Sequence, residues 1–171
     1  MKTCLIVVDL QKGFINASSD YVVERIERLL DKKAFDLVVA SLFCNERDSP
    51  FVQLMHWNRM MDPIEQKIVS AKLEHSADYV LKKDVYSCIT PEFMSWIKQQ
   101  GISKIYFAGV DSDGCVLKSA FDCFDAGIDF SILEDCCASS GGEEIHKMAL
   151  AVMRRSFGRN RLCKAEDIKH G

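Results

Sequence analysis

The sequence predicts an α/β protein, with three α/β/α layers built around a mostly parallel six-stranded sheet. Strand-like and helix-like stretches alternate along all 171 residues. The strand-like stretches are continuously apolar, the pattern of strands covered on both faces. No internal repeat, low-complexity tract or linker divides them.

Residues 4–8 are apolar and rich in β-branched side chains, and form the first strand. Val22, Ile26, Leu29 and Leu30 then recur at helical spacing. Residues 37–43 are a second buried strand, and residues 79–81 a weaker third. Phe93, Trp96 and Ile97 mark a helix that Gly101 can terminate. Residues 105–110 are a strong fourth strand. Val116, Leu117, Ala120, Phe121 and Phe124 mark the next helix, closed by Gly127. Residues 130–133 give a fifth strand. Ile145, Met148, Ala149 and Val152 mark the last helix, and residues 161–163 a short sixth strand. The segment 44–77 is the least regular, with mixed charge, Pro50, Pro63, Trp57 and several methionines. It reads as a long loop with a helix that covers the site. Alternation of this kind implies right-handed crossovers and a Rossmann-like parallel sheet. In such sheets the ligand sits at the carboxyl ends of the strands.

The bulk numbers exclude several classes of function. Hydrophobic residues are 48% and charged residues 27%, a globular balance. The net charge of −3 supplies no basic face, which argues against nucleic acid or an anionic membrane as a partner. The opening apolar run ends at Asp9, too soon for a signal sequence. No stretch approaches the roughly 20 apolar residues of a spanning helix. A cytoplasmic protein is expected. Eight cysteines without a CxxC pair disfavour both a disulfide framework and a zinc finger. Most should be small buried hydrophobes, with one or two left for chemistry.

Three residues stand at the ends of three different strands. Asp9 follows the first strand, where it is either a turn-capping acid or a functional carboxylate. Cys115 lies in Gly109-Val110-Asp111-Ser112-Asp113-Gly114-Cys115-Val116, between a strand and a helix that Ser112 or Asp113 can cap. In the first helical turn, free N–H groups and the helix dipole favour a thiolate and an oxyanion. A plain buried cysteine is the competing reading. Lys82 and Lys83 end the third strand, and spacing alone does not choose between them. A carboxylate to take the thiol proton, a thiol and an ammonium form the set expected for covalent hydrolysis.

With these residues the sequence resembles the isochorismatase-like cysteine hydrolase superfamily, which includes nicotinamidases and N-carbamoyl amidohydrolases. Val7-Val8-Asp9-Leu10-Gln11-Lys12-Gly13-Phe14 resembles its first motif, Lys83-Asp84-Val85-Tyr86-Ser87 its second, and the stretch around Cys115 its third. The resemblance runs over nearly the whole chain and implies one hydrolase domain over 1–171, with strand order 3-2-1-4-5-6. It selects Lys83 over Lys82 and implies that Asp9, Lys83 and Cys115 are catalytic. It also implies a non-proline cis peptide between Val110 and Asp111, with the Asp111 and Cys115 N–H groups as the oxyanion hole. Phe14 is implied to pack on substrate. Trp57 and Met55 are further pocket candidates, with plain core or a subunit contact as the bland alternative. The run Ala138-Ser139-Ser140-Gly141-Gly142 resembles the family's helix start, where His146 packs or caps rather than catalyses.

The metal-binding branch carries an Asp-x-His element after the second strand. The corresponding residues 41–48 here have none, so neither metal nor cofactor is expected despite His56 and His75. The expected function is hydrolysis of a small amide, carbamoyl or related C–N compound through an acyl-thioester. The expected partners are that substrate and, by resemblance, further copies of the chain in a dimer or tetramer. Arg154, Arg155 and Arg159 read as a solvated face or as an anion site at a subunit edge. Two rivals stand beside the enzyme. One is a binding or regulatory protein on the same fold. The other is a redox-responsive protein using the Cys136-Cys137 pair, and the presence of a single low-pKa thiol discriminates them.

Overall fold

The computed structural model describes residues 2–169. Met1, His170 and Gly171, which the expected domain 1–171 includes, lie outside the described residues. Six strands form one sheet: β1 (Lys2–Val8), β2 (Leu37–Phe43), β3 (Tyr79–Lys83), β4 (Ile102–Gly109), β5 (Phe130–Cys137) and β6 (Leu162–Cys163). Their order is β3-β2-β1-β4-β5-β6, and every strand pair is parallel. The expected fold class and strand order are therefore observed. The order reverses between β1 and β4, where the chain leaves the sheet in opposite directions and opens a crevice at the carboxyl ends.

Helices α1 (Tyr21–Asp31) and α3 (Ala71–Ser76) cover one face of the sheet. Helices α4 (Pro91–Gln100), α5 (Cys115–Asp125) and α6 (Glu143–Phe157) cover the other. The alternation of side chains in β1 divides its apolar run between the two. Cys4, Ile6 and Val8 join the α4–α6 core, while Leu5 and Val7 join the α1–α3 core. All five are wholly buried, which is why the run is apolar without interruption. Among the described residues no helix is long and apolar enough to cross a membrane.

Several expected details are corrected. The segment 44–77 holds two short helices rather than one, α2 (Pro50–Gln53) and α3. Strand β5 runs four residues beyond the expected end. Glu134 and Asp135 break the apolar pattern but remain in the strand, because Arg154 pairs with Glu134 and the Ala165 N–H donates to Asp135. Neither Ser112 nor Asp113 caps α5. Gly114 occupies the cap position, and Ser112 bonds His146 instead. The buried face of α6 is Ala149, Leu150, Met153 and Phe157. Of the residues expected to mark its core face, only Ala149 does so; Ile145, Met148 and Val152 are exposed. The helix carries two apolar stripes, and periodicity alone selected the outer one. Phe124 on α5 is likewise exposed.

One glycine fixes how β4 meets β1 at the site. Gly109 has φ +113, and a β-carbon there would collide with the backbone of Val8. We expect Gly109→Ala to cost about 2–4 kcal/mol, from strain plus displacement of β1. Gly101→Ala, at φ +67 with open space around it, should cost about 1 kcal/mol. Urea midpoints of the two variants test this; equal losses would contradict it.

Candidate active site

The three strand-end residues meet at one point. Asp9 directly follows β1 with φ +48, a left-handed conformation that aspartate tolerates better than most residues. Its N–H donates to the Ser41 carbonyl at 3.1 Å, and the Ser41 hydroxyl donates to Asp9 Oδ1 at 2.7 Å. Lys83 ends β3 with its side chain pointing inward, as Leu81 does two residues earlier, while Lys82 faces solvent. Lys83 Nζ donates to Asp9 Oδ2 at 2.6 Å and to the Val85 carbonyl at 3.1 Å, and lies 3.5 Å from Cys115 Sγ. It also sits 5.2 Å from the ring centre of Phe43. The side chains of Asp9 and Lys83 are both 0% exposed. A buried pair of this kind persists only when its remaining donors and acceptors are satisfied, and the Ser41 hydroxyl and the Val85 carbonyl do that.

Cys115 is the first residue of α5 and is buried. The turn before it is held by the Asp111 carbonyl, which accepts from the Gly114 and Val116 N–H groups, each at 3.1 Å. The peptide between Val110 and Asp111 is cis. The Asp111 carboxylate accepts from the Ser140 N–H at 2.6 Å and the Ser140 hydroxyl at 2.8 Å. Among the described residues, the Asp111 and Cys115 N–H groups have no hydrogen-bond acceptor.

Cys115 opens into a cavity of about 550 Å³. Phe14, Phe43, Phe51, Trp57 and Tyr86 form an aromatic wall, with Phe14 and Trp57 stacked at 6.2 Å and 15°. Phe51 meets Phe43 edge-on at 4.8 Å and Tyr86 at the same separation. Met55 lies at the rim, where it accepts from the Tyr86 hydroxyl. The segment after β2 closes over the cavity and is tied down from beneath. Gln11, fully buried, bonds both backbone groups of Phe43 and the Gln66 carbonyl. Asn45 holds the Trp57 and Arg59 carbonyls.

The family model of the isochorismatase domain matches residues 3–164. The chain belongs to the isochorismatase family. Isochorismatase family protein 1B of Dictyostelium discoideum is 23% identical over 156 residues, covering 90% of this chain and 71% of that protein. An isochorismatase-like hydrolase from Alkaliphilus metalliredigens superposes with a TM-score of 0.84 at 15% identity, over 98% of this chain and 97% of that one. N-carbamoylsarcosine amidase of Thermoplasma acidophilum gives 0.81 at 20% identity, over 97% and 98%. Nicotinamidase of Bacillus subtilis gives 0.78 at 20% identity, over 96% and 100%. The chain thus has an isochorismatase-like hydrolase fold.

In this isochorismatase-family chain, the structure brings Asp9, Lys83 and Cys115 together, and Asp111, Cys115, Phe14 and Trp57 line one cavity. His146 stands aside, half-buried, with Nδ1 2.9 Å from the Ser112 hydroxyl. Burial holds its pKa below the usual value. Among the described residues no three His, Cys, Asp or Glu side chains converge as metal ligands, and His56 and His75 are exposed. Sequence reasoning missed Ser41, Ser140, Phe43 and Phe51. Ser41 had a faint signal, as the one hydroxyl in the apolar strand LVVASLF. The other three lie apart in sequence and converge only in three dimensions.

The electrostatics around Cys115 run against the expected thiolate. Burial pushes the Cys115 thiol well up, and the Asp9 carboxylate adds to that, while Lys83 only partly opposes it. Burial and Asp9 thus favour the neutral thiol over the expected thiolate. Burial pulls the Lys83 ammonium down, but Asp9 and then Cys115 more than reverse this, leaving its pKa raised. The other seven cysteines are also raised, chiefly by burial, with Cys4, Cys88 and Cys136 at about 12. None is a low-pKa redox thiol.

The sign of the Asp9 effect gives a test. Asp9→Asn removes a negative charge that disfavours the thiolate and leaves Lys83 with sulfur as its nearest counter-charge. The pH profile of Cys115 alkylation should therefore move to lower pH in Asp9→Asn, as read by peptide mass spectrometry. A profile that stays in place or moves upward would show that Asp9 does not set the thiol.

Proposed function

We propose that this chain is a cysteine-dependent hydrolase of a small amide, carbamoyl or related C–N bonded compound. The observation that supports it most is Lys83 Nζ bridging Asp9 at 2.6 Å and Cys115 at 3.5 Å beside an aromatic cavity. The resemblance to amidases is in keeping with this reading.

The neutral thiol suits proton transfer concerted with attack. Asp9 takes the proton from Cys115 Sγ as sulfur bonds to the substrate carbonyl carbon. The carbonyl oxygen gains negative charge and meets the N–H groups of Asp111 and Cys115. Protonated Asp9 gives its proton to the leaving nitrogen, the C–N bond breaks, and an acyl-thioester remains. Asp9 then takes a proton from water. The resulting hydroxide attacks the thioester, the C–S bond breaks, and sulfur recovers the proton from Asp9. Lys83 stays cationic throughout, offsetting whichever negative charge resides on Asp9 or on sulfur.

The cavity also constrains the charge of the substrate. Arg59 is paired with Glu65 and bonded to the Gly13 carbonyl, and Lys118 is paired with Asp122. Among the described residues the wall thus offers a bound anion no cation free of a carboxylate, and it also carries the acidic side chain of Asp113. An uncharged, flat, apolar acyl group fits this wall better than a carboxylate-bearing one.

A panel of small amides with ammonia detection tests the proposal. Cys115→Ala should lose at least about a thousandfold in kcat on any substrate found. Full turnover by Cys115→Ala would refute the mechanism. Tight binding without turnover by the wild type would favour the binding-protein reading. For matched pairs, the neutral amide should show a KM at least about tenfold below that of its carboxylate-bearing analogue. Trp57→Ala should raise KM about tenfold while changing kcat little, because it removes a stacking surface and no reacting group. A loss confined to kcat would place Trp57 in a different role.

A further inference from the structure

One carboxylate in the cavity wall has no cation beside it. Asp111 is half-buried, and burial pushes its carboxyl pKa up while its bonds to Ser140 oppose this. Among the described residues Asp111 makes no ion pair, and its side chain is held by Ser140 alone, through the N–H at 2.6 Å and the hydroxyl at 2.8 Å. Ser140 is itself fixed. Its carbonyl accepts from Asn16 Nδ2 at 2.9 Å. The Ala138 N–H donates to the Gly109 carbonyl at 3.1 Å, and the Ala138 carbonyl accepts from the Ser112 N–H at 2.8 Å. The chain leading to Ser140 is thus pinned to residues on both sides of Asp111. The proposed hydrolysis makes no use of the Asp111 carboxylate, and a half-buried anion without a cation carries a desolvation cost.

We infer that the Asp111 side chain is a positioning group: clamped by Ser140, it aims the Asp111 N–H at the carbonyl oxygen of the group that Cys115 attacks. The inference rests on the proposed roles of Cys115 as nucleophile and of the Asp111 N–H as oxyanion donor. The residue is tied at two points. Its carbonyl accepts from the Gly114 and Val116 N–H groups, and its carboxylate accepts from Ser140. With carbonyl and side chain both held, little rotation remains about the Asp111 Cα, and the direction of the N–H is set. A donor stabilises an oxyanion most when it is aimed before the charge develops. Ser140 engages both carboxylate oxygens, which favours this role over a direct bond to substrate. Charge alone argues in the opposite direction, because a carboxylate near a developing oxyanion disfavours it. The two effects therefore differ in sign. Loss of the carboxylate should strengthen a tetrahedral adduct if only its charge matters, and weaken it if the clamp matters.

Benzaldehyde, isotope-labelled at its carbonyl carbon, tests this without a known substrate. Cys115 Sγ bonds to that carbon, the C–O π electrons move to oxygen, and oxygen takes up the thiol proton. The product is a thiohemiacetal whose oxygen lies where the oxyanion would, and an NMR titration of the labelled carbon gives its dissociation constant. Asp111→Ala should weaken the adduct at least about tenfold, and Ser140→Ala at least about threefold. Asp111→Asn, which still accepts from the Ser140 N–H, should recover most of the first loss, and Ser140→Thr most of the second. Methyl methanethiosulfonate has no carbonyl; it transfers its methylthio group to Cys115 sulfur as methanesulfinate leaves. That rate should not fall in any of the four variants. An adduct that is unchanged or tighter in Asp111→Ala overturns the inference, and so does a parallel fall in both reactions, which places the loss in the thiol or the fold. A wild type that forms no adduct on Cys115 refutes the nucleophile reading and this inference with it. A wild-type adduct indifferent to both alanine variants sinks the inference alone.

Discussion

The buried ion pair of Lys83 and Asp9 is the constraint on which the site depends. Both side chains are fully buried, and each is tolerated only because the other is there. Breaking such a pair by removing one partner costs on the order of 3–5 kcal/mol, since the survivor is left charged in a dry place. The pair also joins the ends of β1 and β3, which are separated in the sheet by β2. Ser41, from β2 itself, completes the contact through the hydroxyl that binds Asp9. Three neighbouring strands are thereby registered at their carboxyl ends by one polar cluster.

Cys115 enters this cluster from the other side of the strand-order reversal. Its helix follows β4, and Gly109 allows that strand to end hard against Val8. The consequence is electrostatic as much as geometric. Burial and the neighbouring Asp9 carboxylate favour the protonated Cys115 thiol, with the Lys83 ammonium opposing them. In the mechanism we propose, such a thiol is quiet until a substrate carbonyl can take up the electrons released by proton transfer. Among the described residues the other buried thiols make no hydrogen bond to a carboxylate or an ammonium, and they pack as small core residues.

Much of the fold was legible in the sequence for a local reason. Strands buried on both faces must be apolar throughout, and residues 4–8, 37–43 and 105–110 are. Strand ends are the places where polar residues interrupt such runs, which is how Asp9 and the Lys82-Lys83 pair stand out, the choice of Lys83 coming from the motif. The fifth strand was read too short because Glu134 and Asp135 find partners from α6 and from the chain near Ala165, contacts that no local pattern reveals. The core face of α6 was misread because a second apolar stripe mimics a core face. Within the site, the cluster of Asp9, Lys83 and Cys115 followed from topology and motif. Of the aromatic wall only Phe14 and Trp57 did, since Phe43, Phe51 and Tyr86 converge from three segments. The neutral thiol was also hidden, because it depends on a balance of burial and charge that spacing does not encode.

The central claim is that Cys115 carries the acyl group between cleavage and hydrolysis. Its most direct test is to quench the enzyme with acid during turnover of a slowly hydrolysed amide and map the adduct by mass spectrometry. An acyl group on Cys115, released by hydroxylamine, is the predicted result. Product formation with no adduct on Cys115, or with the adduct on another residue, would contradict it.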